Sequence, residues 1–568
     1  MRTHYTSIMI GQMLFLDLET NLKGDGISKA GLCIESLGGG MAWLWQEAQP
    51  NTLLQARLDD ALFAAKAIAG HNLRRHDLPV AEELFPKLVL LEKLPVVDTL
   101  ELSPLCFPRN PYHALEKDYK PTGREENDPL GDAVLARRLL HWEVEALAAL
   151  RENDPELHRA FHGLCAGGPS RMEQGYMLVF GGQGPSEDRL RMAVRECAGR
   201  NGCRTAAARL DVPTFREERL ALAYVLAWLS VADDCRSVLP GWVWRQFPKT
   251  RDYVAALRDT PCGKPSCTWC RTQFDARARL RRWFPGFADF RADEDGHSLQ
   301  REIVETALAG KSLLAILPTG GGKSLWFQLP AQPRMERRGG LTIVISPLQS
   351  LMKDQVDQLA KRVPAALGCA AALNGLLTPL ERRDMLHRIA MGDVSLLYVA
   401  PEQLRSRSFF KAIGQREIGA WVFDEAHCLS KWGHDFRTDY LYAERFIRER
   451  LGTPVPPVTY VTATAKPEVA DEIREFHERM TGSRELATFA AAVERPGLKF
   501  EVLKAASGSE RLAKISEILS DRLAGYGRGG AIVFRSTRSK TRETAEYLQQ
   551  AGWKAAHYHA GLAPEEKK

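Results

Sequence analysis

The chain has 568 residues, of which 26% are charged and 45% are hydrophobic, and its formal net charge is +6. This length is too great for one hydrophobic core and predicts about three or four domains. No apolar run reaches the roughly 20 residues of a membrane-spanning helix, so no membrane partner is expected. The charge is only a weak indication of a polyanionic partner. The eleven cysteines stand mostly alone in apolar contexts, which is typical of a reducing cytoplasm.

The first predicted element is an apolar strand at Met13–Leu18, which carries Asp17 and is followed by Glu19. Two carboxylates that are two residues apart on a strand point to the same face. They can therefore bind one hard cation such as Mg²⁺ or Mn²⁺. An Asp-x-Glu pair by itself is common and usually marks only the end of a strand. Its weight here comes from later motifs, AGHNLRRHD at 69–77 and NDPLGDA at 127–133.

In this order and spacing, residues 13–145 resemble the DEDD 3′–5′ exonucleases, which have an RNase H-like fold. The resemblance implies that four carboxylates hold two metal ions, which activate water and stabilise the leaving oxygen. These carboxylates are Asp17, Glu19, Asp77 and Asp132. The family's base is a His five residues, or a Tyr four residues, before the last Asp. Those positions hold Asn127 and Asp128, neither of which duplicates the base, and His113 is the alternative.

The middle of the chain, residues 146–282, is expected to be mostly helical. Glu217–Leu229 is a strongly apolar helix that is more typical of a core than of a partner surface. Near the end of this segment, five arginines predict either a basic face for phosphate groups or a solvated charged helix. They are Arg271, Arg277, Arg279, Arg281 and Arg282.

A cysteine cluster precedes these arginines. Cys262, Cys267 and Cys270 form a C-x4-C-x2-C pattern, a spacing that suits thiolate ligands of Zn²⁺ or of a [4Fe–4S] cluster. The alternative is three free cysteines that are close by chance. A closed metal site needs a fourth ligand, for which Cys235 is the nearest upstream cysteine and a histidine is the alternative.

The segment Leu314–Pro330 predicts a buried strand, a glycine-rich turn and the N-terminus of a helix. Backbone N–H groups and the helix dipole at such a turn attract an anion. Lys323 would reach the β- and γ-phosphates of ATP, and the Ser324 hydroxyl would hold Mg²⁺. The turn residues that would wrap the phosphates are Thr319, Gly320, Gly321 and Gly322. A glycine-rich turn that binds nothing is the alternative, but the flanking strand and helix favour nucleotide binding.

A second motif for phosphate chemistry follows about 100 residues later. The apolar strand Trp421–Asp424 runs into Asp424-Glu425-Ala426-His427. Asp424 would bind Mg²⁺ through water, and Glu425 would polarise the water that attacks the γ-phosphate. His427 would link this site to the side of the protein that contacts DNA.

Two further segments indicate contact with nucleic acid. The strand within Thr342–Val356 ends at Ser346 and leads into a polar helix, an arrangement suited to a nucleic-acid backbone. The loop after the DEAH motif offers stacking surfaces and a cation for single-stranded bases. Its candidate residues are Trp432, His434, Phe436 and Arg437. Aromatic stripes more often belong to a core, but a glycine and an aspartate interrupt any regular period here.

Residues 283–568 resemble the RecQ family of superfamily 2 DNA helicases. The resemblance implies a RecA-like domain over 283–490, in which Gln300 recognises the adenine edge of ATP. It also implies that the aromatic loop couples DNA binding to ATP hydrolysis. Val458–Ala465 matches the family's Thr-Ala-Thr-Ala motif, whose hydroxyls link the two states.

A second RecA-like domain is predicted to begin at about residue 496, with a strand at Gly530–Ser539 and a helix at Lys540–Ala551. A full domain of this kind needs about 150 residues. The motif that supplies the arginine finger, which is worth about 10³–10⁵ in rate, is expected beyond Lys568. The chain is therefore expected to be a truncated piece of a longer helicase and a poor motor by itself.

The sequence thus predicts an α/β protein of four parts. They are an RNase H-like domain at 13–145, a helical segment at 146–282, a RecA-like domain at 283–490 and an incomplete one at 496–568. The leading hypothesis is an ATP-dependent 3′–5′ DNA helicase that binds single-stranded and duplex DNA. One alternative is mainly a metal-dependent nuclease, and another is a non-catalytic piece that binds DNA and ATP.

Overall fold

The computed structural model describes most of the chain. The described residues are 10, 12–21, 26–36, 39–46, 51–110, 113, 128–232, 238–293, 295–317, 322–363, 370–375, 377–430, 438–451, 455–463, 466–491, 499–523, 529–559 and 561–562. The chain divides into two compact units, Met1–Ala491 and Ala492–Lys568. The predicted boundaries at 145, 282 and 490 remain predictions.

A five-stranded sheet forms the N-terminal part of the first unit, in the order β3-β2-β1-β4-β5. The strands are β1 (Met13–Thr20), β2 (Ile27–Ser36), β3 (Gly39–Gln46), β4 (Ala67–Gly70) and β5 (Val96–Asp98). Strand β2 is antiparallel to β1 and β3, whereas β4 is parallel to β1 and to β5. The strand predicted at 13–18 is confirmed, because its apolar side chains are buried in the sheet.

Twelve α-helices are described between the end of β3 and residue 254. They are α1 (Asn51–Ala64), α2 (Asp77–Leu84), α3 (Val89–Lys93), α4 (Thr99–Cys106), α5 (Pro129–Asn153), α6 (Pro155–Cys165), α7 (Arg171–Phe180), α8 (Glu187–Arg200), α9 (Arg204–Ala207), α10 (Arg216–Val231), α11 (Gly241–Gln246) and α12 (Lys249–Val254). Helix α5 packs across β1 and β2. A Cβ atom on Gly31 of β2 would lie 2.3 Å from the backbone of Pro129, so a glycine is required where the helix begins. This close approach brings the first turn of α5 over the sheet.

The middle segment packs on the first sheet. Every residue of Leu220–Leu229 in α10 is buried, which confirms the predicted apolar core helix. One hydrophobic cluster runs from Ile10 to Leu257 and so includes both the sheet and the helices that follow it. The middle segment is therefore part of the same core as the N-terminal strands.

A seven-stranded parallel sheet forms the rest of the first unit, in the order β12-β6-β11-β10-β7-β9-β8. The strands are β6 (Leu313–Ile316), β7 (Leu341–Ile345), β8 (Ala370–Leu373), β9 (Leu396–Val399), β10 (Ile418–Asp424), β11 (Val458–Thr462) and β12 (Ala487–Ala490). The associated helices are α13 (Thr268–Phe274), α14 (Ala276–Trp283), α15 (Leu299–Leu308), α16 (Leu325–Arg338), α17 (Gln349–Arg362), α18 (Pro379–Ala390), α19 (Arg407–Ile413), α20 (Thr438–Leu451) and α21 (Pro467–Thr481). This is the predicted RecA-like α/β arrangement. In such sheets ligands bind at the carboxyl ends of the strands.

The second unit contains two helices among its described residues, α22 (Gly508–Leu523) and α23 (Arg538–Gln550). The strand predicted at Gly530–Ser539 is wrong in the described part of this unit, where no strand is formed. Ile532 and Phe534 are 82% and 90% exposed. A strand needs a hydrogen-bonded neighbour to form, and the described residues of this unit do not supply one.

Candidate active sites

Three of the four predicted carboxylates meet on the first sheet. Asp17 and Glu19 lie two residues apart on β1, and Asp132 lies in the first turn of α5. One ligand oxygen from each of these residues lies within 4.8 Å of the others. Oxygen ligands at this separation can share one hard divalent cation.

Asp77, the fourth predicted carboxylate, lies beside this group at the first residue of α2. Its side chain is 2% exposed, and its Oδ1 accepts a hydrogen bond of 2.7 Å from the backbone N–H of Leu18 on β1. Burial, followed by the charges of Asp77, Asp132 and Glu19, raises the pKa of Asp17 to about 8. The structure therefore brings three of the predicted carboxylates together with Asp77 close enough to act on Asp17, and the mutual repulsion of these groups is what a bound cation would relieve.

Of the two positions at which the family has its base, residues 127 and 128, only residue 128 is described. Asn127 lies outside the described residues. Asp128 is the N-cap of α5, and its Oδ1 accepts a 3.1 Å hydrogen bond from the N–H of Gly131. His113 is 6% exposed, and burial lowers its pKa to about 3, with a further contribution from His71. Its ring is therefore neutral near pH 7 and lies beside His71.

Sequence reasoning did not single out Asp98, which is 2% exposed at the end of β5. Its carboxylate accepts hydrogen bonds of 2.9, 3.0 and 3.0 Å from the backbone N–H groups of Asn72, Arg74 and Leu100. Burial, followed by the charge of Glu101, raises the pKa of Asp98 to about 7. Asp98 thus fixes the loop that leads from β4 to Asp77. The only sequence signal was the end of an apolar strand.

The nucleotide site is described in part. Thr319, Gly320 and Gly321 lie outside the described residues. Gly322 has a φ of +79°, a conformation that favours glycine. A Cβ atom at this position would lie 2.5 Å from Nε2 of Gln300. The predicted adenine-recognising side chain therefore lies against the phosphate-binding turn.

The carboxyl end of β10 carries the predicted magnesium ligand. Oδ2 of Asp424 accepts a 3.2 Å hydrogen bond from the Ser346 hydroxyl, and Oδ1 accepts one of 3.0 Å from the N–H of Glu425. Burial, followed by the charge of Glu425, raises the pKa of Asp424 to about 6, and the ammonium group of Lys323 opposes this rise. Lys323, in the turn before α16, and Asp424, at the end of β10, thus face the same site. Ser324 follows Lys323 at the N-cap of α16.

Ser346 was predicted to contact a nucleic-acid backbone, but the structure gives its hydroxyl another partner. The side chain is 1% exposed and donates its hydrogen bond to Asp424. Burial at the end of β7 puts it in the nucleotide site in this structure. The other predicted DNA contacts, Trp432, His434, Phe436 and Arg437, lie outside the described residues.

Glu425 and His427 connect the nucleotide site to the next strand. Glu425 has a φ of 48°, a conformation that is costly for a side chain other than glycine and that often occurs at functional sites. Nδ1 of His427 lies 3.4 Å from Oε2 of Glu425 and 3.1 Å from the Thr462 hydroxyl on β11. His427 therefore connects the DEAH motif directly to the threonine motif.

The cysteine cluster has a fourth member that sequence reasoning missed. The Sγ atoms of Cys203, Cys262, Cys267 and Cys270 all lie within 4.8 Å of one another. Cys203 precedes α9 and is far from the other three in sequence, so spacing gave no signal for it. Cys235, the predicted fourth ligand, lies outside the described residues.

The predicted arginine run does not form one basic face. Arg279 is buried and pairs with Glu336 at 2.8 Å, and Arg282 pairs with the same carboxylate at 3.2 Å. Arg277 pairs with Asp289 at 3.1 Å. Three of the five arginines are therefore engaged within the protein.

Among the described residues, no helix is long and apolar enough to cross a membrane.

Comparison with known proteins finds similarities in the part of the chain that forms the second sheet. Residues 297–473 match the DEAD/DEAH box helicase family. A probable ATP-dependent DNA helicase RecS of Bacillus subtilis is 37% identical over 280 residues, which are 49% of this chain and 51% of the relative. An ATP-dependent DNA helicase RecQ of Haemophilus influenzae is 35% identical over 46% of this chain and 39% of its own length.

The chain thus spans about half the length, or less, of these curated relatives. Among solved structures, the Mycobacterium smegmatis helicase Lhr bound to ssDNA and AMP-PNP aligns at 20% identity with a TM-score of 0.38. The alignment covers 51% of this chain and 39% of that one, a likeness too weak to support an argument. The family match and the relatives agree with the motifs at Lys323 and Asp424. Residues 297–473 are similar to DEAD/DEAH box helicases, and the part of the chain that contains them is similar to helicases named RecS and RecQ.

Proposed function

We propose that the chain is the ATP-binding part of a RecQ-type helicase, which couples ATP hydrolysis to 3′–5′ movement on single-stranded DNA and to duplex unwinding. Repair or recombination is the proposed setting. The observation that carries the proposal is the grouping of Lys323, just before α16, with Asp424 and Glu425 at the carboxyl end of β10. The relatives named ATP-dependent DNA helicases support it.

In this proposal, Gln300 and the turn Thr319–Gly322 hold the base and the phosphates. Lys323, Ser324 and Asp424 hold the phosphates and Mg²⁺, which supplies positive charge to the transferred phosphoryl group. The donor set fits this role, because the buried carboxylate of Asp424 lies near the ammonium group of Lys323. Trp432, His434, Phe436 and Arg437 would stack on and bind single-stranded DNA.

Glu425 would orient and polarise the attacking water. His427 would transmit changes at the DNA-binding side of the protein to Glu425. The contact between His427 and Thr462 supports this role, since it joins the hydrolytic carboxylate to the adjacent strand. A displacement of β11 would therefore move His427 and change the position of Glu425.

The test is steady-state ATP hydrolysis with and without single-stranded DNA, by this chain and by an extended form that spans the full length of the helicase relatives. DNA should stimulate hydrolysis by the extended form, and Glu425→Gln should lower kcat by about 10²–10⁴-fold, as expected for the loss of a general base. Glu475→Gln, at an exposed position of α21, is the matched control. An extended form that hydrolyses no ATP in the presence of DNA contradicts the proposal.

The carboxylate cluster favours a second activity, and we infer that it is a metal-dependent 3′–5′ exonuclease site. The support is the convergence of Asp17, Glu19, Asp77 and Asp132 from three elements. The strand order 3-2-1-4-5, with β2 antiparallel, is also the order expected of an RNase H-like sheet. Bound Mg²⁺ or Mn²⁺ would activate water and stabilise the leaving oxygen.

This inference predicts Mn²⁺- or Mg²⁺-dependent release of nucleotides from the 3′ end of single-stranded DNA, lost in Asp17→Asn. Asp59→Asn, at an exposed position of α1, is the control. Equal release by wild type and Asp17→Asn would assign the activity to a contaminant. If neither ATP hydrolysis nor nuclease activity is found, the non-catalytic reading of the chain replaces both.

A further inference from the structure

The four clustered thiols are spaced as ligands of a single small ion. Sγ of Cys203 lies 3.7 Å from Sγ of Cys267 and 3.8 Å from Sγ of Cys270. Zinc–sulfur bonds of about 2.3 Å in a tetrahedron place the sulfurs about 3.8 Å apart. A [4Fe–4S] cluster binds each thiolate to a different iron and separates the sulfurs by a larger distance, on the order of 6 Å. The observed spacing matches the single ion.

The surroundings of the thiols are those of a built site. The N–H of Cys262 points to Sγ of Cys270 at 3.4 Å, an interaction that stabilises a thiolate. Gly263 has a φ of +76°, and the N–H of Cys267 donates to the carbonyl of Lys264 at 3.0 Å, which closes a tight turn. The turn presents Cys262 and Cys267 on the same side as Cys270. Cys203 is held from the other segment, because its N–H donates to the Leu257 carbonyl at 2.8 Å.

Residues next to this site bind the C-terminal end of α16, the helix that begins at the phosphate-binding turn. Asp259 pairs with Arg337 at 3.0 Å and with Arg338 at 3.3 Å. Arg258, which is 2% exposed, donates to the Glu336 carbonyl at 2.9 Å. Its guanidinium group lies 5.1 Å from the ring of Trp228 in α10 and 5.1 Å from the ring of Trp269. The cysteine turn is thus packed into the contact between the helical middle segment and α16.

We propose that Cys203, Cys262, Cys267 and Cys270 bind one structural Zn²⁺, which fixes the helical middle segment against the C-terminal end of α16. The ion joins residues that are 67 positions apart in sequence. The local chain does not hold these residues together, so the ion constrains the contact between the helical middle segment and α16. The proposal depends on neither proposed catalytic activity.

Metal analysis of the purified full-length chain tests the ion. We expect one zinc per chain, no iron or acid-labile sulfide, and a colourless protein. After exchange with Co²⁺, we expect the visible d–d bands of tetrahedral cobalt thiolate. Iron and labile sulfide with a broad visible absorption band would overturn the proposal. So would a metal-free chain whose cysteines titrate as free thiols or as disulfides.

Variants test the ligand set. Cys203→Ser is expected to lose the zinc stoichiometry and the cobalt spectrum, whereas Cys197→Ser is expected to keep both. Cys197 is the matched control because it is also a buried cysteine, on the neighbouring helix α8 and outside the cluster. Cys235→Ser separates the two candidate fourth ligands. Metal lost from Cys235→Ser but retained by Cys203→Ser would overturn the assignment.

Hydrogen exchange tests the structural role without any variant. Removal of zinc from the wild-type chain by a chelator should speed amide exchange in residues 255–274 and in the last two turns of α16 by roughly tenfold or more. The central strand β10 should be unaffected, and zinc should restore protection. Unchanged exchange at the end of α16 after zinc removal would overturn the proposed role.

Discussion

The carboxylate site on the first sheet and the nucleotide site on the second differ in how their residues are distributed along the chain. Asp17, Asp77 and Asp132 come from three elements of one sheet and its helices, and 115 residues separate the first from the last. The nucleotide site takes Lys323 and Ser324 from one short motif and Asp424 and Glu425 from another. Residues 297–473 match a known family, and Asp17, Asp77 and Asp132 lie outside that range.

The two sites are therefore supported in different ways. The nucleotide site is supported chiefly by motif and family, because part of its phosphate-binding turn lies outside the described residues. The carboxylate site is supported chiefly by geometry, because its side chains converge and raise the pKa of Asp17 to about 8, with burial as the largest cause. If both inferences are correct, the two sites are chemically independent, and a substitution can inactivate either site without affecting the other.

The largest expected effect is on the carboxylate site. Asp132→Asn should lower 3′ nucleotide release by at least about 10³-fold, because loss of a metal ligand removes several kcal/mol of transition-state stabilisation. ATP binding should be unchanged. The measurement is release of a labelled 3′ nucleotide in Mn²⁺, with Asp59→Asn as the control. A parallel loss of ATP binding would contradict the independence of the sites.

The next effect is on the nucleotide site. Lys323→Ala should weaken Mg-ATP binding by about 10–100-fold, the value of a charge-assisted hydrogen bond, and should leave nuclease activity unchanged. Titration with a fluorescent ATP analogue measures this. Lys311 is an exposed lysine just before the N-terminal end of β6, and Lys311→Ala provides the control variant. Equal affinities for the two lysine variants would remove Lys323 from the site.

A smaller effect is expected at Asp98, which positions the loop before Asp77 without joining the cluster. Asp98→Asn replaces one of the oxygens that accept backbone N–H groups. Mn²⁺ affinity should fall by about tenfold, as for other residues that orient metal ligands. Titration of Mn²⁺ followed by electron paramagnetic resonance measures the change. Unchanged affinity would show that the loop is held by other contacts.

A further prediction concerns the pH dependence of stability in the metal-free chain. Asp17 binds its proton more tightly when folded, with a pKa of about 8 against 3.8 as the ordinary value. Between these values the folded state holds the proton and the unfolded state does not, so stability falls as pH rises from about 4 to about 8. Asp17→Asn should flatten this slope, and thermal unfolding in a chelator over that range measures it. A slope that is the same in wild type and variant would place Asp17 in a more solvated position.

The sequence alone predicted those parts of each site that lie within one short segment of the chain. Leu314–Pro330 and Trp421–Asp424 were predicted as strands that lead into phosphate-binding residues, and β6, α16 and β10 lie there. The four carboxylates were found only because their order resembles a known pattern. Cys203 and Asp98 were missed because each acts through a contact between segments distant in sequence. Ser346 was assigned to DNA because sequence does not show that its hydroxyl faces Asp424.

The independence of the two sites can be tested in one reaction. ATP hydrolysis and 3′ nucleotide release are measured together on single-stranded DNA, with the extended form of the chain as wild type, Asp17→Asn and Lys323→Ala. We predict that wild type shows both activities, Asp17→Asn loses only nucleotide release, and Lys323→Ala loses only ATP hydrolysis. Loss of both activities in either variant, or the absence of both from wild type, would contradict the account.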